Sequence, residues 1–169
     1  MNLNLNELVQ QVNGEFAERF EGRNLDLICI LQPEPLLIRA DSRRIWRVLE
    51  NLYVNVCKYA MPGTRVYVDA IKKDGKIQFS IKNISENPLN FQADELTERF
   101  IRGDVSRSTE GSGLGLSIAK NLTVLQHGSF NIYLDGDLFK VTITFDEAVK
   151  EKKPMPPMIV PEAVQEEAQ

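Results

Sequence analysis

Three glycines alternate with other residues directly before a helical pattern, in the run Gly111-Ser112-Gly113-Leu114-Gly115-Leu116. The first turn of a helix carries unpaired backbone N–H groups and the positive end of the helix dipole. Because glycine has no side chain, an anionic group can approach such a backbone closely. The run therefore indicates a phosphate-binding helix start, although a flexible loop before an amphipathic helix would show the same composition.

The segment 41–60 carries a second signal, since it predicts an amphipathic helix with a polar border. One stripe of this helix is apolar and is expected to face a sheet: Ile45, Leu49, Leu52, Val56 and Ala60. Along one border of that stripe lie Asn51, Asn55 and Lys58, with the two amides one turn apart. Tyr59 follows, between the amides and the core. Amide oxygens can serve hydrated Mg²⁺ and a lysine can serve phosphate; solvated surface amides and a core tyrosine are the plainer interpretation.

The whole pattern predicts an α+β fold, a two-layer α/β sandwich whose mixed, mostly antiparallel sheet is covered on one face by helices. Helices are expected over 5–20, 41–60, 94–100 and from the glycine run to about 126. Strands are expected over 25–30, 36–39, 65–73, 76–83, 129–135 and 138–145. The dipeptide Asp74-Gly75 is a strong hairpin signal. The last helix is expected to bury the stripe Leu114, Ile118, Leu122 and Leu125.

Composition and charge exclude several classes of protein. The 169 residues carry a formal charge of −4, which argues against a general nucleic-acid binder. No uncharged apolar run approaches the roughly 18 residues of a membrane span, and the first residues do not resemble a signal peptide. Cys29 and Cys57 lack metal or redox spacing, so both are expected to be small buried groups in a reducing cytosol.

Two segments are expected to lie outside the packed core. Residues 101–113 lack periodicity and predict a mobile loop. One domain is expected over 1–148, and the composition after it predicts a disordered tail or linker over 149–169.

Taken together, the motifs resemble those of sensor histidine kinases. The segment 41–60 resembles their N box, 98–104 looks like the segment that opens their ATP lid, and 111–116 looks like their second glycine box. The order and spacing are similar to the catalytic domain of these kinases, which belongs to the same superfamily as gyrase, Hsp90 and MutL. The resemblance covers about residues 3–146 and implies the Bergerat-type ATP-binding fold.

The resemblance implies that ATP and Mg²⁺ are bound, with Asn55 holding the metal ion. Lys58 would meet phosphate, and Tyr59 would pack along the adenine. Asn51 occupies a position that is glutamate in the hydrolytic relatives, where the carboxylate activates water. An amide at this position fits transfer of phosphate to a protein histidine rather than free hydrolysis.

The lid and the glycine run would complete the site in the same family. Arg99 or Arg102 would approach the terminal phosphate and stabilise its charge during an in-line transfer. Backbone amides would bind the phosphates at Gly111, Gly113, Leu114, Gly115 and Leu116.

Two departures from the family pattern bear on function. Asn83 stands where the family has an aspartate that accepts a hydrogen bond from the adenine amino group, and no glycine follows it; a neutral amide makes that bond weaker by ~1 kcal/mol. His127, the one histidine, is expected to have a structural role at a helix end. The phosphoacceptor histidine is therefore expected on a dimerisation domain absent from this chain.

The expected function is that of the catalytic domain of a sensor histidine kinase, which donates the terminal phosphate of ATP to that histidine and acts indirectly on a response regulator. The parent protein is expected to be membrane-anchored, with this segment soluble and cytoplasmic. One alternative is a degenerate nucleotide-binding module that acts as a scaffold or regulatory partner. A serine kinase or nucleotide hydrolase of the same superfamily is a further alternative.

Overall fold

The computed structural model describes residues 1–89 and 115–148. In this part of the chain the elements follow in the order β1 (Asn2–Asn4), α1 (Leu5–Gly22), β2 (Asp26–Leu31), β3 (Leu37–Arg39), α2 (Ser42–Tyr59), β4 (Arg65–Lys73), β5 (Lys76–Ile84), α3 (Gly115–Leu125), β6 (Ser129–Asp135) and β7 (Leu138–Asp146). The helix predicted over 94–100, the loop over 101–113 and the tail over 149–169 lie outside the described residues, and those predictions stay predictions.

Five strands form one sheet in the order β2-β4-β5-β7-β6. β2 and β4 are parallel, whereas the other neighbouring pairs are antiparallel. Alternate residues of the inner strands are buried in the core that the helices cover: Val66, Val68 and Ala70 of β4, and Ile77, Phe79 and Ile81 of β5. The predicted two-layer sandwich with a mixed, mostly antiparallel sheet is confirmed.

The turn between β4 and β5 has the backbone conformation that its sequence predicts. Asp74 and Gly75 both adopt positive φ, at 53° and 74°. Two successive residues with positive φ match the twist of the flanking strands, and this is why Asp-Gly favours a tight hairpin. The hairpin sets the register of β5 against β4, and therefore the position at which β5 ends.

Helix α2 begins where predicted because Asp41 caps it, its Oδ1 accepting from the backbone N–H of Arg43 at 2.8 Å. On its buried side Tyr53 donates its hydroxyl to Oδ1 of Asn13 on α1 and stacks on Phe20 at 5.7 Å between ring centroids. Burial raises the pKa of Tyr53 above its ordinary value, so the phenol stays protonated and keeps donating. These contacts hold α2 against α1.

A small second sheet was not predicted. β1 pairs antiparallel with β3, so that Leu3 lies opposite Ile38. Oδ1 of Asn4 accepts from the backbone N–H groups of Asn6 and Leu36, each at 3.2 Å, and thereby caps α1 while it holds the loop before β3. β1 is too short and too polar to signal a strand locally, so only its long-range pairing specifies it.

The buried side of α3 differs from the predicted stripe and consists of Leu116, Ser117, Ala119 and Thr123. The centre of the predicted stripe lies about 160° around the helix from the centre of this buried side. Ile118 and Leu122 are only half-buried and Leu125 is 59% exposed, while Leu114 lies outside the described residues. Because apolar residues cover much of the surface of α3, its packing against α2 decides which side is buried, and the periodicity alone does not.

The two cysteines differ in their exposure to solvent. Cys57 is buried, as predicted, and burial raises the pKa of its thiol. Cys29 is exposed, which contradicts the prediction. It lies on the edge strand β2, and its Sγ accepts a hydrogen bond from Nδ2 of Asn13 at 3.3 Å. An edge strand has a sheet neighbour on one side only, so its side chains keep more contact with water.

Helix α3 ends in a Schellman motif at its one histidine. His127 has a φ of 67°, the backbone N–H of Gly128 donates to the carbonyl of Thr123 at 2.9 Å, and the N–H of His127 donates to that of Val124 at 3.0 Å. The predicted structural role of His127 at a helix end is therefore confirmed. A Cβ on Gly128 would lie 2.5 Å from the ring of Phe145, so glycine permits the close packing of this turn on β7.

We predict that Gly128→Ala lowers the free energy of unfolding by about 1–3 kcal/mol, because the ring of buried Phe145 has to move. Urea unfolding followed by circular dichroism measures the change. Gly22→Ala is the control, since no described atom lies within 4 Å of the added methyl group. Equal stability of the Gly128 variant and the wild type would contradict this account of the turn.

Candidate functional site

Helix α3 runs antiparallel along α2, so that its first residue meets the polar border of α2. At one end of the pair, Oε1 of Gln126 accepts from the backbone N–H of Asp41 at 2.7 Å. At the other end, a Cβ on Gly115 would lie 3.6 Å from Oδ1 of Asn51. The positive end of the α3 dipole therefore lies beside Asn51, and the structure brings together the end of the glycine run and the amide border.

The two amides of this border are held in different ways. Nδ2 of Asn51 donates to the carbonyl of Arg47 at 2.9 Å, one turn back in the same helix, which leaves Oδ1 on the side of Gly115. Asn55 is only 9% exposed, and its side chain makes no hydrogen bond within residues 1–89 and 115–148. The amide atoms of Asn55 keep some contact with water, so the side chain can contact a ligand in the cleft without breaking a protein hydrogen bond.

A cleft between α2 and α3 collects most of the described residues that the sequence singled out. Its lining consists of Asn51, Val54, Asn55, Lys58, Tyr59, Gly115 and Leu116. Lys58 is exposed and is the one charged side chain in this lining. Polar amides, a cation, an aromatic ring and a helix start thus share one wall.

This cleft is narrow, since its volume is about 20 Å³, enough for about one water molecule. Larger clefts of about 390 and 530 Å³ lie elsewhere, at the start of α1 and beside the end of β7. The chemistry of the lining, rather than its volume, distinguishes the α2–α3 cleft. A triphosphate is larger than this space, so the described residues form an open wall and not a preformed cavity that could enclose one.

The end of β5 is joined to the end of α2, which fixes a further polar residue near the cleft. The backbone N–H of Met61 donates to the carbonyl of Ile84 at 2.8 Å, and the N–H of Glu86 donates to that of Tyr59 at 2.8 Å. Ala60 and Ser85 form an isolated antiparallel bridge. The last residues of β5 therefore lie directly beside the last turn of α2.

Asn83 is the polar residue that this junction positions. It continues the buried row of Ile77, Phe79 and Ile81 on β5, on the side that the helices cover. Asn83 is 3% exposed, and its Oδ1 has no hydrogen-bond partner. A buried acceptor at a position that otherwise carries apolar residues indicates a ligand with a hydrogen-bond donor.

Arg23 supports the same junction and was missed in the sequence. Its Nη2 donates to the carbonyl of Ala60 at 2.9 Å and lies 3.6 Å from a carboxylate oxygen of Glu86. Arg23 follows α1, so one side chain links the ends of α1, α2 and β5. Nothing in the local sequence signals these contacts, because they join residues that are far apart along the chain.

The remaining predicted site residues lie outside the part of the chain that the structure describes, and their roles stay predictions. They are Arg99, Arg102, Gly111, Gly113 and Leu114. Within the described residues, no group of three or more His, Cys, Asp or Glu side chains could hold a metal ion. A metal ion in the cleft would therefore depend on amide oxygens and on oxygens of its ligand. The described helices include none that is long and apolar enough to cross a membrane.

Residues 40–149 match the model of a family described as "Histidine kinase-, DNA gyrase B-, and HSP90-like ATPase". The signal transduction histidine-protein kinase BaeS of Escherichia coli is 30% identical over 123 residues, which are 72% of this chain and 26% of BaeS. This chain spans about a quarter to a third of the length of curated relatives that it matches.

Solved structures show the same fold. The catalytic domain of the histidine kinase ThkA in a nucleotide-free form superposes with a TM-score of 0.75 at 25% identity, covering 87% of this chain and 95% of that domain. A complex of ThkA with the response regulator protein TrrA contains the fold as well, with a TM-score of 0.70 at 24% identity, covering 88% of this chain and 42% of that one.

We predict that Asn83→Leu raises the free energy of unfolding without ligand by about 1–2 kcal/mol, because it replaces an unpartnered buried amide by an apolar group of similar size. Urea unfolding measures this change. Asn131→Leu on β6 is the matched control, since Asn131 is exposed and gains nothing from the substitution. A loss of stability in Asn83→Leu would show that the amide has a structural partner.

Proposed function

This chain belongs to the family of histidine kinase-, DNA gyrase B- and HSP90-like ATPases, and on that premise we propose how its α2–α3 cleft works. The chain is an ATP-binding domain with the fold of histidine kinase catalytic domains. We propose that it binds ATP together with Mg²⁺ and donates the terminal phosphate to a histidine on a separate dimerisation domain. The observation that carries the proposal is Oδ1 of Asn83, a buried acceptor that has no hydrogen-bond partner. Asn55, which makes no hydrogen bond within the described residues, lines the cleft beside it.

The base of the nucleotide is proposed to lie at the junction of β5 and α2. Adenine offers an exocyclic amino group as a donor, and Oδ1 of Asn83 is a buried acceptor without a partner. The half-buried ring of Tyr59, in the last turn of α2, supplies an aromatic surface beside that junction. Arg23 acts here as a positioning residue, because it joins the two backbone segments that carry Asn83 and Tyr59.

The phosphates are proposed to lie between the border of α2 and the start of α3. Asn55 would hold Mg²⁺, whose charge neutralises the phosphate oxygens when it is bound, and Mg²⁺ commonly takes only one or two protein oxygens. Lys58 offers a point charge to phosphate. The backbone N–H groups at Gly115 and Leu116 offer hydrogen bonds and the positive end of the α3 dipole.

Phosphate transfer, and not hydrolysis, is the reaction that Asn51 supports. A carboxamide does not take up a proton near neutral pH, so Asn51 cannot act as the general base that activates water.

We also propose that Arg99 and Arg102 stabilise charge on the transferring phosphate, and that Gly111, Gly113 and Leu114 extend the backbone cradle.

The histidine that accepts the phosphate is proposed to lie on another domain. His127 is the only histidine of this chain, and it lies just beyond the end of α3, a helix about 15 Å long whose other end is the phosphate cradle. A dimerisation domain would supply the acceptor, and a response regulator would receive the phosphate next. We place this part of the parent protein in the cytoplasm, on the inner side of a membrane-anchored sensor.

Isothermal titration of the chain with a non-hydrolysable ATP analogue and Mg²⁺ tests the proposal, with saturable heat as the expected result. The melting temperature should rise with the same ligand, since a ligand that binds only the folded state stabilises it. A folded chain that shows neither heat nor a melting shift at millimolar nucleotide would overturn the proposal and leave a degenerate module that acts as a scaffold.

We predict that Asn55→Asp weakens binding of the Mg²⁺–nucleotide complex at least tenfold, because it places a negative charge beside the polyphosphate. The same titration measures the affinity. Asn131→Asp on the exposed face of β6 makes the same chemical change away from the cleft and should bind normally. Normal binding by a folded Asn55→Asp protein would remove Asn55 from the proposed metal site.

We predict that Asn51→Glu raises the rate at which the chain releases phosphate from ATP, because the carboxylate can take a proton from water where the amide cannot. A phosphate-release assay measures the rate at saturating ATP. Asn51→Gln is the control, because glutamine has the length of glutamate but carries an amide in place of the carboxylate. It should leave the rate of phosphate release unchanged. If the Glu variant binds ATP but hydrolyses it no faster, Asn51 does not decide between transfer and hydrolysis.

A further inference from the structure

A groove runs between α1 and the first turns of α2, on the side of α2 away from Asn55. Two adjoining clefts of about 390 and 500 Å³ form it, and both are lined by Gln11 and by the half-buried ring of Trp46. Trp46 and Asn55 are nine residues apart, which places them about 180° apart around α2. The groove is therefore separate from the nucleotide cleft.

The wall that α1 contributes to the groove is a straight stripe. Its residues follow the spacing of three and four that keeps side chains on one line of a helix, and they continue from the N-cap residue Asn4: Glu7, Gln11, Gly14 and Glu18. From Glu7 to Glu18 the stripe is about 16 Å long, or three helical turns. A groove of this length between two helices has the dimensions that accommodate a third helix.

Gly14 is the residue of this stripe that internal packing does not explain. It lies in the middle of α1, where glycine is less stable than alanine. A Cβ at this position would find no described atom within 4 Å, so no neighbour in the described structure requires the glycine. A glycine in a helix wall lets another backbone come close, and this one lies across the groove from Trp46.

The charge of the groove is mainly negative. Among the residues that line the two clefts, Glu7, Glu15 and Glu18 are acidic, and Arg43 at one end is the only basic one. The three glutamates form no salt bridge within residues 1–89 and 115–148. Their carboxylates remain available to cations of a partner.

We propose that this groove is a docking surface for a basic amphipathic helix of another domain or protein. Lysine or arginine side chains of that helix would meet the three glutamates, and an apolar side chain would pack on Trp46. The close approach at Gly14 would let the two helices pack with a short interaxial distance. This inference does not depend on nucleotide binding and can succeed or fail independently of the proposed function.

Trp46 is the only tryptophan of the chain, so its fluorescence reports on the groove directly. The probe is a synthetic amphipathic helical peptide of about four turns, with leucine on one face, lysine on the flanks and no aromatic residue. We expect a saturable blue shift of the Trp46 emission that weakens as salt is raised, because exposed charge pairs are screened. The same peptide with glutamate in place of lysine should produce no shift.

Variants of the α1 wall separate specific docking from general adhesion. Gly14→Ala should raise the melting temperature through helix propensity, and Gly14→Leu should weaken peptide binding at least tenfold in a folded protein, because it fills the groove. Glu7→Gln combined with Glu15→Gln and Glu18→Gln should also weaken binding at least tenfold. The exposed Glu21 lies outside the groove lining, so Glu21→Gln should leave binding unchanged.

Three outcomes would overturn the proposal. The first is an unchanged Trp46 emission with saturating lysine peptide. The second is equal binding by the wild type and the triple glutamine variant. The third is a shift of the emission with protein concentration alone, accompanied by dimers in analytical ultracentrifugation, which would assign the groove to a second copy of this chain.

Discussion

The packing of α2 among the sheet, α1 and α3 is the constraint on which the rest of the structure depends. Its apolar stripe enters the core, and its rotation about its own axis is fixed by the hydrogen bond from Tyr53 to Asn13 and by the ring stack with Phe20. That rotation places Asn51 beside Gly115 and turns Asn55 into a buried position. A rotation of α2 by one residue would move both amides out of the cleft, so core packing and site geometry are one property of this helix.

The site also shows where stability has been given up for function. A buried acceptor without a partner costs about 1–3 kcal/mol, and Oδ1 of Asn83 on β5 is such a group. Asn55 on α2 is a largely buried polar side chain that makes no hydrogen bond within the described residues. Their neighbours along α2 and β5 are apolar and well packed, so the fold itself does not need these polar groups. Sites that break the local rules of packing in this way are commonly those that meet a ligand.

Local rules explain which parts of the fold were predictable. α2 has a strong apolar period and a capping aspartate, and Asp74-Gly75 matches a single turn type, so both were predicted correctly. Three features were not predicted correctly, because each depends on a neighbour far away in sequence. They are the buried side of α3, strand β1 and the exposure of Cys29. The contacts of Arg23 with Ala60 and Glu86 were not predicted either, because they also join residues that are far apart in sequence. Sequence patterns identified the amide border, whereas only the packed structure showed that Oδ1 of Asn83 is buried without a partner.

The two flanks of α2 connect the cleft with the groove. Trp46 and Asn55 lie on opposite sides of one helix, so a helix that docked on Trp46 and shifted α2 would shift Asn55 relative to Asn83 on β5. Contacts to metal and phosphate tolerate little displacement, because misplacement of about 1 Å can cost two orders of magnitude in rate. Binding on one flank would then alter affinity on the other, and thermodynamic linkage makes that effect equal in both directions. Helix α2, which Tyr53 ties to α1 and which packs against α3 on another side, is therefore the element through which such a partner would act on the nucleotide.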